Sequence, residues 1–557
     1  MHVLMCVQDC NGHAFLAQGG SICVCTEEMT SGFHPTVWGD YFIDYNSPPL
    51  QRSEEWIKER TEQLKVEVSG LFGMSKDVVE KMNLVDVLQH LGIDHHFQKQ
   101  ISDAMSSIHR AKINSSNLHD VSLRFRLLRQ DGLWISQDEF NKFKGDDGRF
   151  RVEIIEDPRG MLSLYNAAHL LTHGEDVLED AILFSRHHLE SVACKLEPPL
   201  SEQIKRALQI PLPKALKRLE TWHYILEYEK EEAYNSSLSE LSKIDFNLLQ
   251  RFHVKELKTI SEWWKNLEVG LNYARDRIVE CYFWSHSVYH EQEHKRARMV
   301  LAKSFALASL LDDTYDTYAT LEESQKLNEA IQRWNPSYVC LLPEYLKRYY
   351  LKLIENFREI EDELDPREKF RVDYYKNVFQ KLSGYYFQEA EWFHHNYVPS
   401  FEEHLGLSVM NTGTPMLCVA LLVGMGDVAT KEAFEWVISC TGAVKACGEV
   451  TRFVDDLAAF KHGKNKMDMV TCVECYINEN NVAEEVAISI IESLVEDAWK
   501  NTNQEYLECG PLLPIVKRVS NMTKSMLFLF QNRRDGYTFS NYVKDTIEQQ
   551  FLKPIPL

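Results

Sequence analysis

Three aspartates, Asp312, Asp313 and Asp316, directly follow the apolar stretch FALASLL, residues 305–311. Spacings of three and four residues place carboxylates on one face of a helix, where like charges repel each other. The end of a helix also carries partial negative charge, which makes acids unfavourable there. A positive charge is therefore expected beside them. Aspartate oxygens suit a hard dication such as Mg²⁺, which completes its shell with water and phosphate oxygens.

Arginines that could bind an anion lie elsewhere in the chain. Arg275 and Arg277 precede an aromatic stretch, and Arg452 precedes a second acid pair, Asp455 and Asp456. Guanidinium groups match the oxygens of a diphosphate and stay charged. Residues two apart do not share a helix face, so Arg275 and Arg277 can reach one ligand only near a helix end or in a loop. The aspartates and arginines together are more informative than any one of them, since an acidic protein that handles an anion must do so with clustered arginines or bound cations.

Composition and charge define a helical class and exclude some partners. The chain has 557 residues, with 83 acidic against 61 basic side chains and a formal net charge of −22, which argues against nucleic acid as a partner. Glycine and proline are few, and apolar residues recur three and four apart, as in EEWIKERTEQLKVEVSGLF. These patterns predict an all-α protein. We expect no membrane span, because no apolar run reaches roughly 18 residues, and a cytoplasmic location, because no leader pattern is recognisable.

The same patterns divide the chain into three parts. Residues 1–33 lack periodicity and are predicted to be a loose tail. The serine-rich start of residues 235–250 is typical of a domain junction, which predicts one helical domain at 34–245 and a second at 246–557. The three aspartates then end a helix that is apolar on nearly every face, and TLEE, residues 320–323, predicts the capping box of the next helix.

Ordered motifs along the chain resemble those of plant class I terpene synthases, most of all the cytosolic sesquiterpene synthases. The matches cover nearly the whole chain after residue 33 and include FHPTVWGDYF (33–42), GMLSLYNAAHLLTHGEDVLEDA (160–181), RDRIVECYFW (275–284), LLDDTYDTYATLEE (310–323) and RRDGYTF (533–539). The resemblance implies a C-terminal class I terpenoid synthase fold around a central apolar cavity. It also implies that the N-terminal domain is a non-catalytic relic of a helical barrel, and no DxDD motif occurs in residues 34–245.

The resemblance further implies a reaction: Mg²⁺-dependent ionisation of farnesyl diphosphate, carbocation cyclisation or rearrangement, and quenching to a sesquiterpene with release of diphosphate. Members of the family bind three Mg²⁺ ions, which Mn²⁺ can replace. Monoterpene synthases carry a tandem arginine shortly before the first tryptophan, but this chain has Glu28 and Met29 at that spacing before Trp38. Geranyl diphosphate is therefore the less favoured substrate. We expect the protein to be a monomer.

The family's site residues carry over by position. The implied metal ligands are Asp312, Asp313, Asp316 and Asp455. The implied diphosphate-binding residues are Arg275, Arg277, Asp312, Arg452 and Asp455. The implied catalytic residues are Arg275, Arg277, Trp284, Asp535 and Tyr537, among which Trp284 and Tyr537 match aromatic positions of the cavity wall.

Two further motifs bear on the cavity. NTGTP, residues 411–415, matches a helix break, for which Gly413 and Pro415 are suitable residues. Phe530 stands where several relatives have a tyrosine, five residues before Asp535. A proton relay through that hydroxyl cannot operate here.

The second metal motif departs from the family pattern, in which the first, fifth and ninth positions supply ligands from one helical face. Asp455 matches the first position, but Ala459 replaces the hydroxyl residue and Gly463 replaces the glutamate. Three outcomes stay open. Asp455 holds Mg²⁺ weakly with water or His462, neighbouring lysines supply part of the missing positive charge, or the enzyme is impaired or inactive.

Other functions are therefore kept as alternatives. One is an inactive homologue that binds a prenyl diphosphate without turnover. A chain-elongating prenyltransferase also uses DDxxD, but it requires a second complete copy, which DDLAA at 455–459 does not provide. A helical-repeat scaffold is disfavoured because no fixed repeat period is found.

Overall fold

The computed structural model of the chain describes five stretches of sequence, which are residues 33–49, 51–112, 115–267, 269–462 and 470–557. In these stretches the secondary structure is helical, and strand-like pairing is limited to one isolated bridge between Lys144 and Phe150. The predicted all-α class is confirmed. The tail predicted for residues 1–33 lies outside the described residues except for Phe33.

The N-terminal half is built from short and medium helices. They are α1 (Tyr41–Asp44), α2 (Glu54–Met74), α3 (Val78–His90), α4 (Gln98–Arg110), α5 (Leu118–Gln130), α6 (Pro158–Ala168), α7 (Asp176–Val192), α8 (Leu200–Gln209) and α9 (Lys217–Tyr228). Buried apolar residues of α3 to α8 form one core, which includes Met82, Phe125, Leu164 and Leu178.

The C-terminal half contains longer helices around a second, larger core. They are α10 (Ser236–Leu267), α11 (Ile278–Val288), α12 (Lys295–Asp313), α13 (Leu321–Arg333), α14 (Glu344–Asp362), α15 (Phe370–His394), α16 (Phe401–Asn411), α17 (Thr414–Val423), α18 (Lys431–Ile438), α19 (Gly442–His462), α20 (Cys472–Asn480), α21 (Glu484–Glu508), α22 (Leu513–Leu529) and α23 (Lys544–Phe551). The predicted two-part helical architecture is in this sense present.

The predicted boundary at residue 245 falls inside the continuous helix α10. The serine-rich stretch that suggested a junction is the start of this helix, where the side-chain oxygen of Asn235 accepts hydrogen bonds from the amides of Ser237 and Leu238. Serine and asparagine favour helix starts as well as loops, because their side chains can satisfy unpaired backbone amides. The first half of α10 packs in a small core with α2 and α9, and the second half packs in the large C-terminal core.

The first described residues also pack differently from the prediction, which assigned everything after residue 33 to the N-terminal domain. Trp38 and Phe42 belong to the large C-terminal core. The indole Nε1 of Trp38 donates a hydrogen bond to the Glu280 carboxylate at 3.1 Å. This segment therefore crosses over the C-terminal half before the chain enters α2.

One stretch, Phe401–Val423, is long and apolar enough by composition to cross a membrane. It comprises α16 and α17, and 83% of its most apolar window is buried inside the protein. Gly413 separates the two helices with a φ of +73°, a left-handed conformation that favours glycine. The predicted helix break is therefore present, and the apolar stretch serves as core.

Candidate active site

A cavity of about 280 Å³ lies among the C-terminal helices and brings together most of the predicted site residues. Its lining includes Arg275, Trp284, Asp312, Asp313, Asp316, Arg452, Asp455, Asp535 and Tyr537. The side chains of Asp312 and Asp455 are 30% and 37% exposed, whereas Trp284 is only 8% exposed. The carboxylates are therefore nearer to solvent and the aromatic ring lies deeper.

Asp312 and Asp313 end α12, and Asp316 lies in the turn that follows, so the three aspartates are close together as their spacing predicts. The helix closes in a π-helical turn over Thr314–Tyr318, in which the Thr317 hydroxyl donates to the carbonyl of Asp313 at 2.6 Å. The next helix begins with the predicted capping box between Thr320 and Glu323. Since α12 is buried along nearly its whole length, its position is fixed by packing and its acidic end is held at the cavity.

Arg275 supplies the positive charge that these aspartates require. One of its guanidinium nitrogens lies 2.8 Å from a carboxylate oxygen of Asp312 and 2.8 Å from one of Asp313. Its backbone amide donates to Asp313 at 2.7 Å. Although burial opposes the charged form, Asp313 and Asp312 raise the pKa of Arg275 well above its ordinary value. The arginine therefore stays charged beside the carboxylates.

A second charged group faces the cavity from α19. Arg452 forms ion pairs with Asp455, one turn ahead on the same helix, and with Asp456 at 2.6 Å. Asp456 is buried, and it also accepts a hydrogen bond from the backbone amide of Cys472. Although burial opposes ionisation, Arg452 and His404 hold the pKa of Asp456 below its usual range. Asp455 is the more exposed member of the acid pair.

Ala459 lines the cavity one helical turn after Asp455, where the family pattern has a hydroxyl residue. The methyl group cannot bind a metal ion. Gly463, which replaces the glutamate, lies outside the described residues, as does the side chain of His462. The second carboxylate group is therefore represented at the cavity by Asp455 and Asp456.

The structure does not bring Arg277 to the cavity lining. Its side chain is buried, and its guanidinium donates to the backbone carbonyls of Tyr537 at 3.0 Å, Thr538 at 2.8 Å and His34 at 2.7 Å. These contacts join the segment before α1 to the loop after α22. The role of Arg277 in binding diphosphate stays a prediction, and in this structure the side chain connects two segments around the cavity.

Aromatic side chains line the deeper part of the cavity. The ring of Trp284 stacks on Phe305 with centroids 4.4 Å apart and meets Tyr537 edge-on at 5.6 Å. The Tyr537 ring also lies 5.2 Å from the guanidinium carbon of Arg275. Phe530 lines the same wall without a hydroxyl group. These ring faces and edges present apolar surface with partial negative charge on the faces.

Asp535 holds the loop that carries Tyr537. Its carboxylate accepts hydrogen bonds from the backbone amides of Tyr537 at 2.9 Å and Thr538 at 2.8 Å. The Thr538 hydroxyl in turn accepts a hydrogen bond from Arg275 at 3.0 Å. Asp535 therefore links the loop geometry to the arginine that bridges the first aspartates.

Several cavity residues were not predicted from the sequence. Phe33, assigned to the tail, lies with its ring 4.9 Å from the guanidinium carbon of Arg275. Tyr386, Glu389 and His404 reach the cavity from α15 and α16. Phe33 stands at the start of the first motif, which was a usable signal. The other three have no spacing relation to the aspartates, since only packing brings their helices to the cavity.

An all-helical fold, with carboxylates and arginines at the mouth of an aromatic cavity, defines an enzyme class that can bind a diphosphate with metal ions. Two family descriptions match the chain: "Terpene synthase, N-terminal domain" over residues 37–208, and "Terpene synthase family, metal binding domain" over residues 265–501. The chain belongs to the terpene synthase family. The second match also establishes a domain that binds divalent metal.

Plant enzymes of known activity are similar to this chain over nearly their whole length. The chain is 56% identical to tau-cadinol synthase of Zea mays over 535 residues, which are 94% of this chain and 98% of that relative. It is 53% identical to alpha-copaene synthase of Zea mays over 537 residues, which are 94% of this chain and 99% of that relative. The protein is a sesquiterpene synthase, a lyase that acts on a prenyl diphosphate.

The fold is also that of a solved plant enzyme. The crystal structure of isoprene synthase from grey poplar leaves (Populus x canescens), in complex with three Mg²⁺ ions and dimethylallyl-S-thiolodiphosphate, matches with a TM-score of 0.83 at 27% sequence identity. The match covers 90% of this chain and 98% of isoprene synthase.

Proposed function

We propose that this protein ionises farnesyl diphosphate in a Mg²⁺-dependent reaction, and that the cavity guides the resulting carbocation to a sesquiterpene. The observation that carries the proposal is the arrangement around one cavity. Two carboxylate groups on different helices, each paired with an arginine, lie above an aromatic interior. A prenyl diphosphate has the same division into a charged end and an apolar chain.

The donor set at the cavity fits Mg²⁺. Asp312, Asp316 and Asp455 offer carboxylate oxygens to the same space from α12, the π-helical turn and α19, and carboxylate oxygens are the ligands that this ion prefers. The isoprene synthase structure is in complex with three Mg²⁺ ions and dimethylallyl-S-thiolodiphosphate. When bound here, Mg²⁺ would supply Lewis-acid charge to the leaving diphosphate.

Arg275 and Arg452 are suited to hold the diphosphate itself. Each forms ion pairs through its terminal nitrogens, and the Nε of each is buried with no hydrogen-bond partner among the described residues. A buried donor without a partner costs free energy. Small rotations of either guanidinium would offer these donors to phosphate oxygens.

The aromatic wall serves the hydrocarbon part of the substrate. Trp284, Phe305 and Tyr537 exclude water from the space they enclose, which protects a carbocation from premature capture. A ring face near a desolvated cation contributes about 2 kcal/mol of stabilisation. Stabilisation of the carbocation by these residues depends on their ring faces and does not require the Tyr537 hydroxyl.

The departure at Ala459 bears on how strongly the metal is bound. Ala459 lines the cavity where a metal-binding hydroxyl is expected. With Asp455 as the exposed carboxylate on α19, one part of the metal shell would be weak. The inactive homologue that the sequence left open has no support from the relatives, which are sesquiterpene synthases.

The deciding experiment is incubation of the purified protein with farnesyl diphosphate and, separately, geranyl diphosphate, with Mg²⁺, with Mn²⁺ and with a chelator. We expect sesquiterpene products from farnesyl diphosphate that disappear with the chelator, and a lower rate with geranyl diphosphate. Volatile products are measured by gas chromatography and mass spectrometry. Turnover of geranyl diphosphate but not of farnesyl diphosphate, or activity that persists with the chelator, would contradict the proposal.

The variant Asp312→Asn tests the first carboxylate group without changing side-chain volume. Activity should fall by about two orders of magnitude, because a carboxylate that holds the metal is lost. Asp427→Asn is the matched control, since the Asp427 side chain is 93% exposed. Full turnover by Asp312→Asn would remove this carboxylate from the mechanism.

We also propose that the protein acts as a monomer in the cytoplasm. The proposed location follows the resemblance to cytosolic sesquiterpene synthases, and the monomer is an expectation that the mass measurement tests. Size-exclusion chromatography with light scattering measures the mass of the particle, and imaging of a fluorescent fusion in plant cells measures its location. A dimer mass, or a signal confined to plastids, would contradict them.

A further inference from the structure

Two histidines and one aspartate that do not line the cavity come together where the N-terminal half contacts α10. His95 and His96 lie on a short 3₁₀ helix, Asp94–Phe97, and Asp245 lies on α10. The Nε2 atoms of His95 and His96 are 3.2 Å and 2.8 Å from the same carboxylate oxygen of Asp245. One ligand atom from each residue lies within 4.8 Å of the other two.

These distances are close to those of a tetrahedral metal site. Zinc binds imidazole nitrogen and carboxylate oxygen at about 2.0 to 2.2 Å, so two ligand atoms on one ion are about 3.3 Å apart. The observed separations from Asp245 are shorter than this by a few tenths of an ångström or less. A small outward shift of the two rings would admit an ion.

The hydrogen bond on the other side of the His95 ring favours a ligand role. Its Nδ1 lies 3.2 Å from the carbonyl of Gly92, to which it can only donate. In the neutral ring this leaves a lone pair on Nε2, directed at a carboxylate oxygen that also carries lone pairs. A proton on Nε2 or a cation between the two atoms satisfies this contact, and a bound metal ion would take the place of that proton. A histidine whose second nitrogen donates to a carbonyl is the usual support for a metal ligand.

The surroundings allow an ion to enter. The side chains of His95, His96 and Asp245 are 32%, 17% and 10% exposed, so the site is near the surface and one coordination position can be filled by water. Lys217 is nearby, but its ammonium group lies 2.8 Å from both carboxylate oxygens of Asp94.

We propose that His95, His96 and Asp245 form a zinc site, with water as the fourth ligand, that is separate from the divalent-metal cavity. The donor set of two imidazoles and one carboxylate is one that zinc uses. Because Asp245 lies on the helix shared by both halves, the ion joins the 3₁₀ turn of the N-terminal half to the helix that continues into the catalytic half. Its effect is on stability, since none of its ligands lines the cavity.

The test uses the full-length protein, stripped of metal with a chelator and then titrated with Zn²⁺ in excess Mg²⁺, so that Mg²⁺ competes at the carboxylate cavity. We expect one zinc ion per chain and a higher melting temperature with zinc, because an ion that binds only the folded state stabilises it. Replacing zinc by Co²⁺ should give the intense visible absorption of a four-coordinate site with nitrogen ligands.

Three variants and one control assign the signal to these residues. His96→Gln and Asp245→Asn should each weaken zinc binding at least tenfold and abolish the cobalt spectrum, and His95→Gln, on the most exposed ring, should do so with the least effect on folding. The control changes both His187 and His188 to Gln, an adjacent histidine pair on α7. Circular dichroism checks that each variant is folded. Zinc binding that is absent from the wild type, or unchanged in all three variants, overturns the proposal.

Discussion

Arg275 and Arg277 are two residues apart, yet the structure gives them different contacts. Arg275 faces the cavity and bridges Asp312 and Asp313. Arg277 instead donates to four backbone carbonyls, those of His34, Asp276, Tyr537 and Thr538. The family resemblance implied that both bind diphosphate, but a guanidinium can also donate to backbone carbonyl oxygens. Residue type does not fix the direction of a side chain near a helix start. The backbone path before α11 does.

Glu280 is a buried acid whose ionisation should make stability depend on pH. One carboxylate oxygen accepts from Trp38, and the other is buried without a partner among the described residues. Burial raises its pKa from 4.5 to about 7. The folded state therefore holds a proton that the unfolded chain has lost between these values. This contribution to stability is present below about pH 4.5 and is lost as the pH rises through about 7.

Glu280→Gln should remove this pH-dependent component. The amide keeps an acceptor for Trp38 and carries no charge, so the free energy of unfolding of the variant should rise relative to wild type as the pH goes from 5 to 8. Urea unfolding at a series of pH values measures the difference. Glu344→Gln is the control, since the Glu344 side chain is 89% exposed. A difference that is constant with pH would show that Glu280 stays ionised.

The predictable part of the site is the part encoded by local spacing. Asp312, Asp313 and Asp316 are close in sequence, so a helical period alone places them together. Glu389 and His404 reach the same cavity from other helices. No local rule relates them to the aspartates, because their positions depend on how α15 and α16 pack against α12.

At the scale of elements, the start of one helix was predicted from its capping residues. Thr320 and Glu323 form the predicted capping box, and it starts α13. The π-helical turn before α13 was not predicted. Its threonines, Thr314 and Thr317, each donate a hydrogen bond to the carbonyl four residues earlier. Such a bond also occurs in ordinary α-helices, so threonine in the sequence does not indicate a π-helical turn. The serine-rich stretch suggested a boundary at residue 245, which falls inside α10.

The break between α16 and α17 can be tested with one methyl group. In Gly413→Ala the added carbon meets no atom closer than 3.7 Å, so crowding is not the problem, but a φ of +73° is strained for alanine. We expect a loss of about 1 to 2 kcal/mol in the free energy of unfolding, and a changed product ratio if the break contacts the substrate. Thermal unfolding and product analysis measure the two effects.

Gly384→Ala provides the matched control for that substitution. Gly384 lies within α15 and has open space around its Cα. There alanine should stabilise the helix by about 1 kcal/mol or less. Equal destabilisation by the two substitutions would contradict the role assigned to the left-handed conformation.

At the scale of the whole molecule, α21 joins the two halves. Trp499 is fully buried, and its indole donates to the carbonyl of His169 at 2.8 Å. Asn503 donates to the carbonyls of His169 and Leu171. The chain turn after α6 therefore depends on donors from the C-terminal half.

Trp499→Ala should uncouple the halves. Loss of a buried tryptophan costs about 3 to 5 kcal/mol, and the carbonyl of His169 loses one of its two donors. We expect a lower melting temperature and a split transition in calorimetry. Trp56→Ala, at a position 38% exposed, should change little. A single unshifted transition in Trp499→Ala would mean that the contact does not couple the halves.

The shared helix α10 has a practical consequence for recombining enzymes of this family. A chimera with its crossover at residue 245 or 246 would join the two parent sequences in the middle of α10. The first and second halves of α10 pack in different cores. In such a chimera, the two halves of one helix would therefore come from different parents. A crossover just before Asn235 would instead take all of α10 and its cap from one parent. The contact of its first half with α2 and α9 would then join residues from different parents.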